Sequence, residues 1–223
     1  MNIGIIGGGS VGQILGAGLH AKGHSVTLGI RKVSAEDLAK PRTYAEPLDV
    51  WTARTGIEVT TMTKAAAADI VINATSGDVS LAALHLAGAA NLAGKILIDV
   101  ANPLDHSKGF PPALLPQYTG HTSLAEQIQA ALPQTRVVKA FNTIAATVMA
   151  NPGQIGGAHD LFLAGNDAAA KATVAEIAKS LGWVHIVDLG DITAARGTES
   201  LLPIWLRLMM TGGPLFNIHV QRA

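Results

Sequence analysis

Short runs rich in β-branched residues alternate with longer helical patterns, and this alternation constrains the fold more than any other feature of the chain. The runs span residues 2–6, 25–28, 57–60, 69–74, 95–100, 136–141, 160–164 and 184–188. Such alternation predicts parallel strands joined by crossover helices. Several runs are apolar without a polar alternate, as expected for strands covered on both faces. We therefore predict an α/β fold with a doubly wound, mostly parallel sheet.

Two of the intervening helices have recognisable ends. Residues 10–22 carry apolar side chains at near-helical spacing and stop before Gly23, a residue type common just after a helix. Residues 167–181 begin with the capping residue Asp167 and are followed by Gly182. Segment 101–122 contains four prolines and two glycines, so we predict a long loop there.

Composition bears on partners and location. Sixteen basic and sixteen acidic residues give a formal net charge of zero, without a long run of either sign, which argues against a nucleic-acid partner. No stretch reaches the roughly 18 consecutive apolar residues of a membrane helix. The chain has no cysteine, and its eight histidines lack metal-site spacing. We expect a cytoplasmic protein with no metal site and no membrane or nucleic-acid partner.

A glycine pattern lies between the first predicted strand and helix. Gly7, Gly9 and Gly12 form G-x-G-x-x-G, in which the first glycine permits a tight turn, the second lets the backbone approach a pyrophosphate, and the third lets helix and strand pack closely. The amide groups at the helix N-terminus would then face the phosphates. The pattern predicts dinucleotide binding; a turn needed only for packing is the alternative.

A basic pair follows the second predicted strand, where NAD sites usually offer a carboxylate to the ribose hydroxyls. This chain has Arg31 and Lys32 there. A guanidinium can bind a 2′-phosphate through paired, charge-assisted hydrogen bonds. The pair therefore predicts selection of NADP(H) over NAD(H), with a solvated basic turn as the alternative.

Five further segments occur in a fixed order: DIVINATS (69–76), ILIDVANPL (96–104), SLAEQIQAALPQTRVVKAFNTI (123–144), FLAGND (162–167) and LGWVHIVDLGDITAARGTESLLPIWLRL (181–208). With the glycine loop and GIRK (29–32), they resemble the coenzyme F-420 (F420)-dependent NADP oxidoreductase family, which includes the cytosolic domains of six-transmembrane metalloreductases. The resemblance implies a Rossmann-like NAD(P)-binding domain, residues 1–188, and a small C-terminal helical extension, residues 189–223, that packs near the nicotinamide.

The resemblance also implies site residues, by their positions in the family's motifs. Those expected at the pyrophosphate are Gly7, Gly9, Ser10, Val11 and Gly12. Arg31 would bind the 2′-phosphate with Lys32 as a second contact, and the nicotinamide side would be formed by Thr75 and Asn102. The pocket for a second ring would be lined by Asn142 and Thr143. The same two residues could instead cap the helix that follows them.

The implied activity is hydride transfer between NADP(H) and a small-molecule acceptor, with F-420, FMN or FAD as second substrate. Asn142 stands where the archaeal deazaflavin enzymes carry histidine, so the acceptor stays open. Because alignment of two rings supplies much of such catalysis, we nominate no catalytic acid or base. The alternative function is a non-catalytic NADP(H)-binding redox sensor or regulatory module. An apolar stripe is interpreted as packing within the subunit or across a homodimer, or else as a ring-binding wall: Leu201, Leu202, Trp205, Leu208 and Met209.

Overall fold

The fold is built on ten strands, described in a computed structural model that covers residues 1–107 and 109–221. Within those ranges the strands are β1 (Asn2–Ile6), β2 (Ser25–Ile30), β3 (Glu58–Thr61), β4 (Ile70–Asn73), β5 (Ile96–Asp99), β6 (Leu104–Asp105), β7 (Ala113–Leu114), β8 (Arg136–Ala140), β9 (Asp160–Gly165) and β10 (His185–Asp188). Eight of them form one sheet in the order β10-β9-β8-β5-β4-β1-β2-β3. Each of the eight predicted strands overlaps one of these.

The sheet is mostly parallel, as predicted. Strands β1, β2, β3, β4, β5 and β8 run in one direction, whereas β9 pairs antiparallel with β8 and parallel with β10. In register, Gly4 of β1 lies between Thr27 of β2 and Val71 of β4. The carboxyl ends of the six co-directional strands therefore share one edge, where ligands bind in folds of this kind.

Eleven α-helices are present in the described residues: α1 (Ser10–Ala21), α2 (Ala35–Ala39), α3 (Leu48–Thr55), α4 (Met62–Ala65), α5 (Ser80–Ala87), α6 (Ala89–Leu92), α7 (Leu124–Ala131), α8 (Ala146–Ala150), α9 (Ala168–Leu181), α10 (Ala195–Ser200) and α11 (Leu202–Gly212). Short 3₁₀ helices occur at Pro116–Tyr118, Pro152–Gln154 and Ile192–Ala194. The observed ends of α1 and α9 lie within one residue of the predicted ends. Asp167 caps α9 by accepting a hydrogen bond from the Ala170 amide, and Gly182 follows the helix in a left-handed conformation. No helix in the described ranges is long and apolar enough to cross a bilayer.

Alternate residues of the central strands face opposite sides of the sheet, which explains why their sequences are apolar throughout. In β4, Ile70 and Ile72 belong to one hydrophobic cluster, while Val71 belongs to another. The first cluster includes residues from α1, α3 and α9, and the second includes residues from α4, α5 and α7. This arrangement, with helices on both faces, confirms the doubly wound fold.

The described residues of segment 101–122 include regular structure that the loop prediction omits; Lys108, also within that prediction, lies outside the described residues. It contains the short antiparallel pair β6–β7 and a turn of 3₁₀ helix at Pro116–Tyr118. The Leu115 amide donates to the Pro103 carbonyl at 2.8 Å and extends this pairing. This strand pair could not be predicted, because strands of two residues are too short to show a periodic pattern in the sequence.

Several residues between 189 and 221 pack into the core. Ile192 and Ala195 belong to one core cluster, and Trp205 packs against the other. Helix α11 buries Leu202 but exposes Leu208. Part of the predicted apolar stripe is therefore internal packing. The domain boundary at residue 188 and the homodimer stay predictions.

Candidate functional site

The glycine loop has the shape that its sequence predicts. The φ angle of Gly7 is 122°, and an added Cβ there would lie 2.5 Å from the Ala74 carbonyl oxygen. A Cβ on Gly12 would lie 2.0 Å from the Gly7 carbonyl oxygen, so α1 can approach the end of β1 only because Gly12 has no side chain. Gly9 differs, because a Cβ there would meet no described heavy atom within 4 Å. The loop therefore presents open space above Gly9.

That open space lies at the N-terminus of α1. Ser10 and Val11 begin the helix and are half-buried, and Gly9 precedes them in extended conformation without a side-chain cap. An exposed helix N-terminus next to an unobstructed glycine can receive an anion from its free N–H groups. The structure thus places together the five residues expected at a pyrophosphate.

A groove of about 360 Å³ extends from the glycine loop toward the end of β2. Arg31 lines the groove, while Lys32 is exposed and is not among the residues that line it. Thr75, which lies just after β4, also lines the groove. The groove therefore extends from the end of β2 to the end of β4. Its remaining walls are mainly apolar: Gly8, Ile30, Met62, Val79, Ala82, Ala83 and Leu86.

A second arginine, which the sequence analysis missed, lines the same groove. Arg42 lies in the loop after α2, and one of its terminal nitrogens, Nη2, donates to the Asp37 carbonyl at 3.1 Å. Its buried Nε has no hydrogen-bond partner among the described residues. Burial lowers the pKa of Arg42, and Asp37 opposes that effect. The groove therefore contains a partly desolvated guanidinium with donor capacity to spare.

Gln13 holds the loop that carries Arg42 against the glycine loop. Its side-chain amide donates to the carbonyls of Gly8, at 3.1 Å, and Glu46, at 2.9 Å. The Gln13 carbonyl oxygen accepts from the Glu46 amide at 3.2 Å. Because Gln13 is buried on α1, these bonds fix the Arg42 loop relative to the helix N-terminus.

The loops after β4, β5 and β8 meet on the other side of the glycine loop. The Gly77 amide donates to the Asn102 carbonyl at 3.1 Å, and a Cβ on Gly77 would lie 2.3 Å from that oxygen. The Asn102 side chain donates to the Asn142 carbonyl at 2.8 Å. The structure thus brings together, at the carboxyl edge, the loops that carry Thr75, Asn102 and Asn142 and that follow β4, β5 and β8.

Asn142 and Thr143 are both buried, at 4% and 2% exposure. The Asn142 side-chain amide donates to Asn102 Oδ1 at 3.2 Å and to the Thr198 carbonyl at 3.1 Å. Helix α8 begins three residues after Thr143 without a side-chain cap, so the helix-capping alternative is wrong. Both residues directly follow the end of β8, and their role in a second-ring pocket stays a prediction.

The residue before Asn142 has an uncommon backbone conformation. Phe141 has a φ angle of 64°, in the left-handed region that non-glycine residues rarely occupy. Its ring packs edge-on against Trp183, with 6.3 Å between centroids, inside the core. Core packing therefore holds a strained turn that directs Asn142 toward Asn102, and strain of this kind clusters at functional sites.

A buried charged triad lies near the ends of β5 and β8. Lys139 Nζ contacts Asp99 Oδ2 at 2.8 Å and Glu199 Oε1 at 2.9 Å, and all three side chains are at most 2% exposed. Burial lowers the pKa of Lys139, but the two carboxylates outweigh it and hold that pKa above its ordinary value. Burial also raises the pKa of Glu199, with Lys139 opposing. The sequence analysis missed this triad, although a lysine inside the apolar run VVKAF was a visible signal.

Comparison with known proteins agrees with this geometry. Residues 2–103 match the family model described as NADP oxidoreductase, coenzyme F420-dependent. A crystal structure of a candidate F420-dependent NADP-reductase from Arthrobacter sp. FB24 is 46% identical, covers 100% of both chains and superposes with a TM-score of 0.92. This chain belongs to the coenzyme F420-dependent NADP oxidoreductase family.

Two less similar relatives each match about half of this chain. The F420-dependent NADP reductase of Methanocaldococcus jannaschii is 30% identical over 120 residues, which are 52% of this chain and 52% of the relative. The metalloreductase STEAP3 of Rattus norvegicus is 35% identical over 118 residues, which are 51% of this chain and 22% of the relative. The chain thus spans about half or less of these curated relatives. Family membership and the Rossmann-like fold are confirmed, whereas the individual site residues stay predictions.

Proposed function

We propose that this protein binds NADP(H) along the groove and transfers a hydride between its nicotinamide and a flavin or deazaflavin acceptor, with F420 the first candidate. The observation that carries the proposal is the pairing of an unobstructed glycine loop with two arginines in one groove. The groove has space for a dinucleotide's adenosine half and cations for an additional phosphate. Family membership supports the same cofactor and the reductase class.

At the adenosine end, Arg31 and Arg42 would hold the 2′-phosphate. Arg31 supplies an exposed guanidinium, and Arg42 supplies a partly desolvated one whose Nε has no described partner. Charge-assisted bonds from arginine to phosphate are among the stronger hydrogen bonds in proteins. Lys32 would add only long-range attraction from its exposed position. NADH, which lacks the phosphate, would leave the Arg42 donor buried and unsatisfied, and that difference supports selection of NADP(H).

At the pyrophosphate, Gly9, Ser10, Val11 and Gly12 would supply backbone N–H groups and the positive end of α1. Gly7 would contribute its tight turn instead, because its amide already donates to the Gly29 carbonyl at 2.9 Å. The open space above Gly9 fits this assignment, because any side chain there would occupy the path of the ligand backbone. The basic side chains of the groove and the helix terminus would together offset the charge of three phosphates without a strongly basic chain.

At the nicotinamide side, Thr75 and Asn102 would orient the ring. The cofactor supplies the hydride chemistry, and the residues of this chain supply position. Asn142 holds the Asn102 side chain through reciprocal hydrogen bonds. Thr143, which is buried next to Asn142 in the chain, would lie toward the second ring. Effective hydride transfer requires the two reacting ring atoms to be in close contact and aligned. Positioning by hydrogen-bonded side chains would therefore account for much of the expected rate.

The proposed function is tested by titrating the purified protein with NADPH and NADH, then adding oxidised F420, FMN or FAD and following nicotinamide absorbance. We expect tighter binding of NADPH than of NADH and oxidation by one of the acceptors. Equal affinity for the two nucleotides would refute the phosphate assignment. Tight NADPH binding without turnover by any acceptor would refute the acceptor class and favour the sensor alternative.

A further inference from the structure

Helix α10 is connected to both residues proposed to orient the nicotinamide. Its Thr198 carbonyl accepts from Asn142, which bonds to Asn102. Its next residue, Glu199, contacts Lys139 of β8. Two successive residues of one short helix therefore reach the same region by separate routes, although the helix lies more than 50 residues beyond Asn142 in the chain.

The Glu199 route is a continuous buried chain of polar groups. Lys139 Nζ contacts Asp99 at 2.8 Å and also donates to the Ala101 carbonyl at 2.6 Å, directly before Asn102. Asp99 Oδ1 accepts from Asn73 Nδ2 at 2.8 Å. Asn73 Oδ1 in turn accepts from the Thr75 hydroxyl at 2.7 Å. Each step is a direct hydrogen bond or ion pair, and the chain ends at Thr75.

Glu199 also holds the start of α7. Its two carboxylate oxygens accept from the Leu124 amide at 2.8 Å and the Ala125 amide at 3.2 Å. A second, more exposed contact joins the same helices, because Arg196 Nε donates to Glu126 Oε2 at 2.8 Å. Only the Glu199 contact continues into the Lys139 chain, so the two links between α7 and α10 can be separated by mutation.

The fold alone does not require such a triad. Three buried ionisable groups carry a desolvation cost, and apolar replacements of buried ion pairs are often neutral or stabilising. A network that is fully satisfied, however, fixes one arrangement of its members. We therefore expect the triad to fix the positions of Ala101, Asn102 and Thr75 rather than to increase overall stability.

We propose that Glu199 and Lys139 are positioning residues that couple α10 and the start of α7 to the nicotinamide side of the cofactor site. The inference rests on the proposed function, because it assigns the nicotinamide to Thr75 and Asn102. In this proposal α10 affects the cofactor site through buried hydrogen bonds and ion pairs, and not by touching the ligand. Binding of the nicotinamide half and order in α10 are then reciprocally linked.

The test compares two ligands on Glu199→Gln, which keeps the shape and an acceptor oxygen but removes the charge that faces Lys139. NADP⁺ spans the whole site, whereas adenosine 2′,5′-bisphosphate fills only the adenosine end. We expect Glu199→Gln to weaken NADP⁺ binding by roughly 2- to 30-fold and to leave the bisphosphate affinity unchanged, by calorimetry. Glu126→Gln, which removes the carboxylate charge from the other link between α7 and α10, is the matched control and should leave both affinities unchanged.

A merely structural role would weaken both ligands together, and that result would overturn the inference, as would an unchanged NADP⁺ affinity. Hydrogen exchange on the wild-type protein decides the matter if Glu199→Gln does not fold. NADP⁺, but not the bisphosphate, should slow exchange in residues 123–126 and 198–202; equal protection would overturn the inference. If the wild type does not bind NADP⁺, the proposed function is refuted together with the inference. If it binds NADP⁺ but the results above do not appear, only the inference is refuted.

Discussion

Replacement of the groove arginines gives the sharpest test of cofactor selection. Arg31→Ala removes an exposed guanidinium after β2, and Arg42→Ala removes the partly desolvated one that the loop after α2 contributes to the same groove. Both changes should weaken NADPH binding while leaving NADH binding nearly as it was. The reason is that only NADPH carries the 2′-phosphate that these groups would contact.

The magnitude follows from the kind of bond that is lost. A hydrogen bond involving a charged group contributes about 1.5–3 kcal/mol net, which corresponds to roughly 10- to 150-fold in affinity. We expect Arg31→Ala near the lower end of that range, because water screens an exposed cation. Arg42→Ala should lie higher, since its Nε is buried and has no described protein acceptor that could compete with a phosphate.

Fluorescence titration and steady-state kinetics with both nucleotides measure this difference directly. Arg136→Ala is a suitable control, because Arg136 begins β8 at the opposite edge of the sheet from the groove. Its NADPH-to-NADH preference should match that of the wild type. Equal losses for NADPH and NADH in either groove variant would refute the phosphate role of that arginine.

Three further changes test the loop and the surface link. Gly9→Ala should leave stability within about 0.5 kcal/mol but weaken NADP⁺ binding, measured by thermal unfolding with and without ligand; unchanged ligand stabilisation would contradict the pyrophosphate assignment. Gly12→Ala forces a Cβ against the Gly7 carbonyl and should destabilise by about 1–3 kcal/mol, measured by urea unfolding. The hydrogen bond from Arg196 holds the pKa of Glu126 below its ordinary value. That contribution to stability is present above the ordinary pKa and is lost as the pH falls through the depressed one. The difference in unfolding free energy between wild type and Glu126→Gln should shrink over that interval, whereas a constant difference would exclude this linkage.

The fold could be predicted from the sequence because its signals are local. Apolar runs, capping residues and helix-ending glycines each report on a few neighbouring residues, and all of them agree on a doubly wound sheet. The reversed direction of β9 and β10 was not visible in the same way. Strand direction depends on the path of the connection, and residues 141–159 contain a short helix and turns that no periodicity distinguishes from a crossover.

The site could be predicted only in part, for a related reason. The glycine loop and the Arg31 position follow from spacing along one β-α-β unit, whereas Arg42 reaches the groove because Gln13 bonds to a loop more than 30 residues away. Nothing local distinguishes Arg42 from a solvated arginine. Lys139 did carry a local signal, since a lysine within a strand buried on both faces requires charged partners, but those partners lie far away in sequence.

These long-range contacts also explain how the two halves of the proposed cofactor site are held at a fixed separation. Gln13 fixes the Arg42 loop to the helix that begins beside Gly9, and Gly77 fixes the β4 loop to the β5 loop at Asn102. Both contacts use backbone groups of the neighbouring loop, so they depend on loop path rather than on side-chain identity there. A phosphate grip at one end can assist hydride transfer at the other only if that separation is rigid. The proposed selectivity for NADP(H) and the proposed positioning of the nicotinamide are in this sense one property of the carboxyl edge of the sheet.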